Sequence, residues 1–227
     1  MIEHGYPHMV HDYYVRTVRR LHDSRKRRRM LVRTREDVLA LKQEAGWRLA
    51  CSFGSFPEAT PLNARVTGRV ERPDYLLERV LFESRPGFPV TANLYIPRRG
   101  EPPYPCVLGA CGHSGLGKAE PKYQAFARGL ARNGYLVLVY DPISQGERLQ
   151  FPKAEGPGAP RGCCQEHNMM GNQMLLTGDF LGNWRVWDGI RALDYLLSRP
   201  EADESRVGVT GNSGGGTLAT YLNAFDA

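Results

Sequence analysis

The chain has 227 residues, 41% of them hydrophobic and 24% charged, enough for one well-cored domain with an appendage and too few for several large ones. No run approaches the ~18 consecutive apolar residues of a membrane span. Residues 1–10, with His4, Pro7 and His8, also lack the apolar stretch of a signal peptide, so a soluble, unprocessed, cytoplasmic chain with no membrane partner is expected.

The net charge of +6 belongs to the first 50 residues, where Lys and Arg outnumber Asp and Glu by 12 to 6; afterwards they match at 18 to 18. Residues 10–50 read as two helices, the second starting near Thr34 with Asp37 as its capping partner. The run Arg25-Lys26-Arg27-Arg28-Arg29 has the composition of a nucleic-acid patch. Tyr14, Val18 and Leu21 give the flanking sequence helical spacing, however, so the charges are expected to be one solvated helix face and nucleic acid the less expected partner. Gly54 to Pro61 breaks the pattern as a linker. The expected organisation is a basic helical segment and linker over 1–64, then a core domain over 65–227.

Glu78–Ser84 and Val90–Ile96, separated by Arg85-Pro86-Gly87, predict a two-stranded hairpin at a sheet edge. Next come an apolar run at 105–111, a helix over 123–133 and a second apolar run at 136–140. Such runs without alternation indicate strands buried on both faces, as in a mostly parallel sheet flanked by helices. Residues 142–182 are polar and rich in Gly and Pro, which suggests an active-site insertion or lid. There His167, Asn168, Asn172 and Gln173 are candidates for polar contacts to a carbohydrate-like substrate. An amphipathic helix over 183–198, with Trp187, Ile190, Leu193 or Asp194, and Leu197 on one face, leads to a last strand at 207–210.

The five cysteines, Cys51, Cys106, Cys111, Cys163 and Cys164, are odd in number and have no zinc-site spacing. No disulfide scaffold and no metal are expected, and Cys163-Cys164 reads as an ordinary loop pair.

The chemistry concentrates in Gly211-Asn212-Ser213-Gly214-Gly215, a G-x-S-x-G pattern between a predicted strand and a predicted helix. Glycines two before and two after the serine permit a sharp turn that lifts the Ser213 hydroxyl out at the sheet edge, with a helix N-terminus behind it to meet negative charge. Ser213 is the candidate nucleophile. The N–H of Gly214 is one candidate oxyanion donor, and the N–H of His113 or Ser114, in the glycine-rich loop after the first central strand, is the other.

Residues 75–227 resemble acetyl xylan esterase-like α/β-hydrolases through Gly112-His113-Ser114-Gly115, Asp141-Pro142-Ile143-Ser144-Gln145-Gly146-Glu147-Arg148, the helix from Trp187-Asp188 to Leu197, and Gly211 to Gly215. The resemblance implies an α/β-hydrolase-type fold and a serine hydrolase acting on carboxylic esters, small-molecule or carbohydrate, through an acyl-enzyme without metal or organic cofactor. In such esterases an Asp-x-Arg-Gly-Gln-Gly turn supports the site; Asp141, Gln145 and Gly146 match it and the arginine does not.

In this fold the triad runs Ser, then Asp or Glu, then His. Residues 214–227 hold one carboxylate, Asp226, and no histidine. The expectation is therefore an N-terminal part of the hydrolase domain, incomplete at its C-terminus, inactive alone, with acid and base beyond residue 227. Two other readings stand beside it, a prolyl-oligopeptidase-like peptidase and a non-catalytic module binding a partner through its basic helices. Homo-oligomerisation stays open.

Overall fold

The computed structural model describes residues 7–151 and 162–225. The chain forms two compact units, Met1–Leu49 and Ala50–Ala227. In the first, α1 (Met9–Met30) precedes α2 (Arg35–Phe53), whose last turn belongs to the second unit. The start of α2 is set by a reciprocal cap: the N–H of Asp37 donates to Thr34 Oγ1 at 3.1 Å, and that of Thr34 to Asp37 Oδ2 at 3.0 Å. Both terminal guanidinium nitrogens of Arg28 bond the carboxylate of Glu44, which also accepts from Arg48. The helix α1 buries no residue, and residues 25–29 are all exposed.

The second unit is built on a six-stranded mixed sheet of β1 (Arg65–Glu71), β2 (Tyr75–Arg85), β3 (Phe88–Pro97), β4 (Tyr104–Ala110), β5 (Leu136–Tyr140) and β6 (Ala202–Gly211). Their order is β1-β2-β3-β5-β4-β6. The first three strands and the β3–β5 pair are antiparallel, while β5, β4 and β6 are mutually parallel. The expected hairpin is β2–β3, but it does not lie at the edge, because β1 pairs outside β2. Its alternation of Val66 and Val70 with polar residues was too weak to announce it, and the strand is mostly exposed.

Helix α3 (Pro121–Arg132) covers one face, its Tyr123, Ala127 and Ala131 packing with Val137 and Val139 of β5. On the other face lie α5 (Leu181–Leu197) and α6 (Gly214–Phe225). Tyr195 of α5 stacks on Phe82 at 5.7 Å between ring centroids, and a side chain at Gly189 would collide with Leu222 of α6 and the Tyr140 hydroxyl. All five residues of β5 are buried, as a strand covered on both faces requires.

The linker is tied down. Asn183 Nδ2 donates to the carbonyls of Phe53 and Ser55, both at 3.1 Å, Arg191 reaches the carbonyl of Thr60, and Phe56 stacks on Trp187. Phe53 is itself buried against Phe180, Tyr221 and Phe225. The buried face of α5 is accordingly Asn183, Val186, Trp187, Asp188, Gly189, Arg191, Ala192, Tyr195 and Leu196. Ile190, Leu193 and Leu197 lie only at its margin, because polar residues on the inner side serve the linker and an ion pair.

Within the stretch read as an insertion, α4 (Cys163–Leu176) is a helix, and residues 152–161 lie outside the described residues. Cys163 and Cys164 thus open a helix rather than lie in a loop; Cys163 is buried, Cys164 exposed, and both are unbridged.

Candidate active site

Because β4, β5 and β6 run parallel, the segments that leave their C-terminal ends emerge on one edge of the sheet, where open α/β sheets place their sites. Three segments meet there: residues 111–118 after β4, 141–148 after β5 and 211–214 after β6.

The last is a tight elbow. Ser213 has φ +53°, a left-handed conformation costly for a residue with a Cβ. The turn closes only because neighbouring positions lack side chains. A Cβ at Gly215 would overlap the carbonyl of Ala110 in β4, and one at Gly211 would overlap the carbonyl of Gly215. The N–H of Gly215 bonds Asn212 O at 2.9 Å, and that of Thr217 bonds Ser213 O at 3.1 Å. Ser213 itself is exposed. Its hydroxyl and the N–H of Gly214, the first residue of α6, make no hydrogen bond among the described residues.

The 111–118 loop faces this elbow, since a Cβ at Gly112 would overlap the carbonyl of Asn212. Gln145 orients the loop by donating from Nε2 to the carbonyls of Gly112 at 2.7 Å and Ser114 at 3.1 Å. In a trans peptide the N–H points opposite the C=O, so the N–H of His113 is turned away from Gln145. The hydroxyl of Ser114 donates to Glu120 and accepts from the N–H of Leu116.

The imidazole of His113 stands beside the elbow: its Cε1 and Nδ1 would lie 2.8 Å from a Cβ at Gly214. Its Nε2 is 3.1 Å from Nδ1 of His167 on α4, whose Nε2 is 2.8 Å from the carbonyl of Ile143. His167, expected in a loop, is thus a buried helical residue behind His113. Asn168, Asn172 and Gln173 are exposed on the same helix.

Both rings are held below the ordinary histidine range. For His113 the causes are burial and then the charge of Arg185. For His167 burial comes first, opposed by the bond to Ile143 and reinforced by Arg185, and the result is about 4. Between the ordinary value of 6.5 and about 4, the unfolded chain therefore takes up a proton that the folded chain refuses. Stability is expected to fall as pH falls through that window and then to level off. The loss from His167 is on the order of 2 kcal/mol, allowing for solvent screening of a partly accessible ring. Urea midpoints at pH 7 and 4.5 should differ less for His167→Gln than for the parent chain.

Beneath the loops lies an ion network that the sequence did not announce. Asp141 is fully buried and accepts from the N–H of Lys118 at 2.6 Å, the hydroxyl of Thr91 at 2.7 Å and the ammonium of Lys118, which also reaches Glu147. A Cβ at Gly117, where φ is +50°, would overlap that carboxylate. The N–H of Gly146 returns to Gly115 O at 3.2 Å. Arg148 donates to Asp141 O at 2.9 Å and to Asp188 Oδ2 at 2.7 Å, while Ser84 donates to the other oxygen of Asp188 at 2.6 Å. Lys118 and Arg148 thus supply cations at the turn where the family pattern carries an arginine. Among the described residues no three His, Cys, Asp or Glu side chains gather as a metal site.

Residues 71–227 match the family model described as acetyl xylan esterase (AXE1). YtaP of Bacillus subtilis (strain 168), provisionally named a hydrolase, is 28% identical over 184 residues, covering 77% of this chain and 57% of YtaP. A crystal structure from Bacteroides fragilis NCTC 9343, provisionally named an acetyl xylan esterase, superposes with a TM-score of 0.70 at 19% identity, over 84% of this chain and 51% of that one. Acetyl xylan esterase 1 from Thermoanaerobacterium sp. JW/SL YS485 gives 0.54 at 19% identity, over 81% and 54%. The chain thus spans little more than half the length of each of these relatives. Two structures share its mixed sheet and flanking helices, and the family match runs from the end of β1 through the elbow to residue 227; the chain belongs to the acetyl xylan esterase family.

Proposed function

We propose that the protein is a serine hydrolase of carboxylic esters, acetylated carbohydrate among them, with Ser213 as nucleophile. The observation that carries this is the elbow: a serine at φ +53°, exposed at the C-terminal edge of parallel strands, followed at a helix N-terminus by an N–H that has no partner among the described residues. Ser213 Oγ attacks the ester carbonyl carbon, and the carbonyl oxygen becomes an oxyanion. The N–H groups of Gly214 and His113 stabilise it. His113 is preferred to Ser114 because Gln145 sets its peptide plane. The tetrahedral intermediate collapses to an acyl-enzyme as the alcohol departs with a proton, and water then releases the acid.

A hydroxyl without a base is a weak nucleophile at neutral pH. We assign that base and its orienting carboxylate to the part of the relatives' length that residues 1–227 do not span, so residues 1–227 alone are expected to be inactive. The family resemblance favours esters over amides.

The test is labelling by a fluorophosphonate, which requires an activated serine. The protein from its natural source should label at Ser213, and Ser213→Ala should abolish both labelling and ester turnover, by on the order of 10⁴-fold or more. An intact protein that folds but neither labels nor turns over esters overturns the reading.

A further inference from the structure

The first unit has no role in the chemistry proposed above, yet the side chains of its helix α1 are sorted by face. Val10, Tyr14, Val18 and Leu21 recur at three- and four-residue spacing and so share one side of the helix. Each is 61–63% exposed, and α1 buries no residue at all. Tyr13 is also exposed and packs edge-on against Tyr14, with ring centroids 5.6 Å apart.

Arg25, Arg28 and Arg29 continue the same side through the last turns. Arg28 is held by Glu44, whereas Arg25 and Arg29 form no ion pair among the described residues. Over its whole length α1 carries eight Lys and Arg against two Asp. Those two, Asp12 and Asp23, each stand two positions from a residue of the apolar stripe and therefore on the far side of the helix, because side chains at that spacing point apart. One face of α1 thus runs from exposed apolar side chains to cations, with the acids turned away from it.

We propose that α1 is an interfacial helix that lies on an anionic lipid surface, its apolar half sunk among the headgroups and its arginine-rich half bound to their negative charge. A basic polar face beside an apolar stripe, with low hydropathy over the helix as a whole, is the pattern of such helices. No described helix is long and apolar enough to cross a membrane. The expectation of no membrane partner rested on that lack of a span, which does not bear on a helix lying in the headgroup layer. A nucleic acid answers the cations alone and leaves Val10, Tyr14, Val18 and Leu21 in water. Two copies of the chain pairing along this face would have to cover Arg25 and Arg28, in either orientation, with no acid on that face to meet them. An anionic bilayer answers both halves, and tyrosine is favoured at its headgroup level.

Flotation of the intact protein with vesicles decides it, using phosphatidylcholine alone and phosphatidylcholine with about a quarter phosphatidylserine. The protein is expected to float with the mixed vesicles, at least about tenfold more tightly than with the neutral ones, and to be released as salt rises. Val18→Ser with Leu21→Ser keeps the charge and should weaken binding to the mixed vesicles about tenfold or more. Arg25→Gln with Arg29→Gln should weaken it by about fivefold for each cation removed. The urea midpoints of both variants should match the parent, since all four side chains are exposed, and Ser213→Ala should float as the parent does. Equal binding to both kinds of vesicle, or binding that survives Val18→Ser with Leu21→Ser, overturns the proposal. So does a protein that ignores the mixed vesicles, whether it is retained instead by duplex DNA or sediments as a dimer.

Discussion

Alanine at Gly215 is expected to cost about 3 kcal/mol or more of stability, read as a lowered urea midpoint. A Cβ there would overlap the carbonyl of Ala110 and press on the backbone of Cys111, neither of which can turn aside as a side chain would. Relief requires α6 to move off β4, which pulls the elbow open, so labelling of Ser213 in the intact protein should fall with stability. Gly129→Ala is the control. Gly129 lies within α3, is exposed, and its Cβ would meet nothing within 4 Å. Helix propensity alone then predicts a gain of up to about 1 kcal/mol.

The second large effect is expected at Asp188. Asp188→Ala removes the partner of Arg148 inside a pair that is 1% and 5% exposed, and it also strands the Ser84 hydroxyl. Breaking a buried pair from one side leaves an uncompensated charge, and the expected loss is about 3–5 kcal/mol. Arg148→Met alone should also destabilise, but the double variant should lose less than the two single losses added, since neither charge remains unpaired. Urea unfolding of the four proteins gives the coupling directly.

These features divide by how they are encoded. The strands β4 and β5 were legible because a strand covered on both faces is apolar without interruption, as Leu136 to Tyr140 is. The elbow was legible because only glycine fits where strand and helix backbones touch, and Gly211 and Gly215 stand at those contacts. The cap of α2 was readable from Thr34 and Asp37 for an equally local reason.

What escaped was non-local. The helix α4 carries Gly171, Asn168 and Asn172 and little apolar periodicity, so its composition resembles a loop. No spacing rule brings His167 to His113, 54 positions away, or Lys118 to Asp141, 23 positions away. The carbonyl of Ile143 that meets the His167 ring is a backbone group and leaves no mark on residue type.

The bonds among the loops after β4 and β5 have a consequence for how the site admits a ligand. Lys118 reaches from one loop to Asp141 of the other, Gln145 reaches back to Gly112 and Ser114, and Gly146 closes on Gly115. Arg148 then fastens the pair of loops to α5 through Asp188. Swinging either segment outward means breaking several hydrogen bonds and a buried ion pair together, so the free energy of opening approaches that of unfolding the domain. This wall of the site is a fixed template rather than a gate. A ligand enters by fitting against it, and any motion that admits or releases one originates on another side.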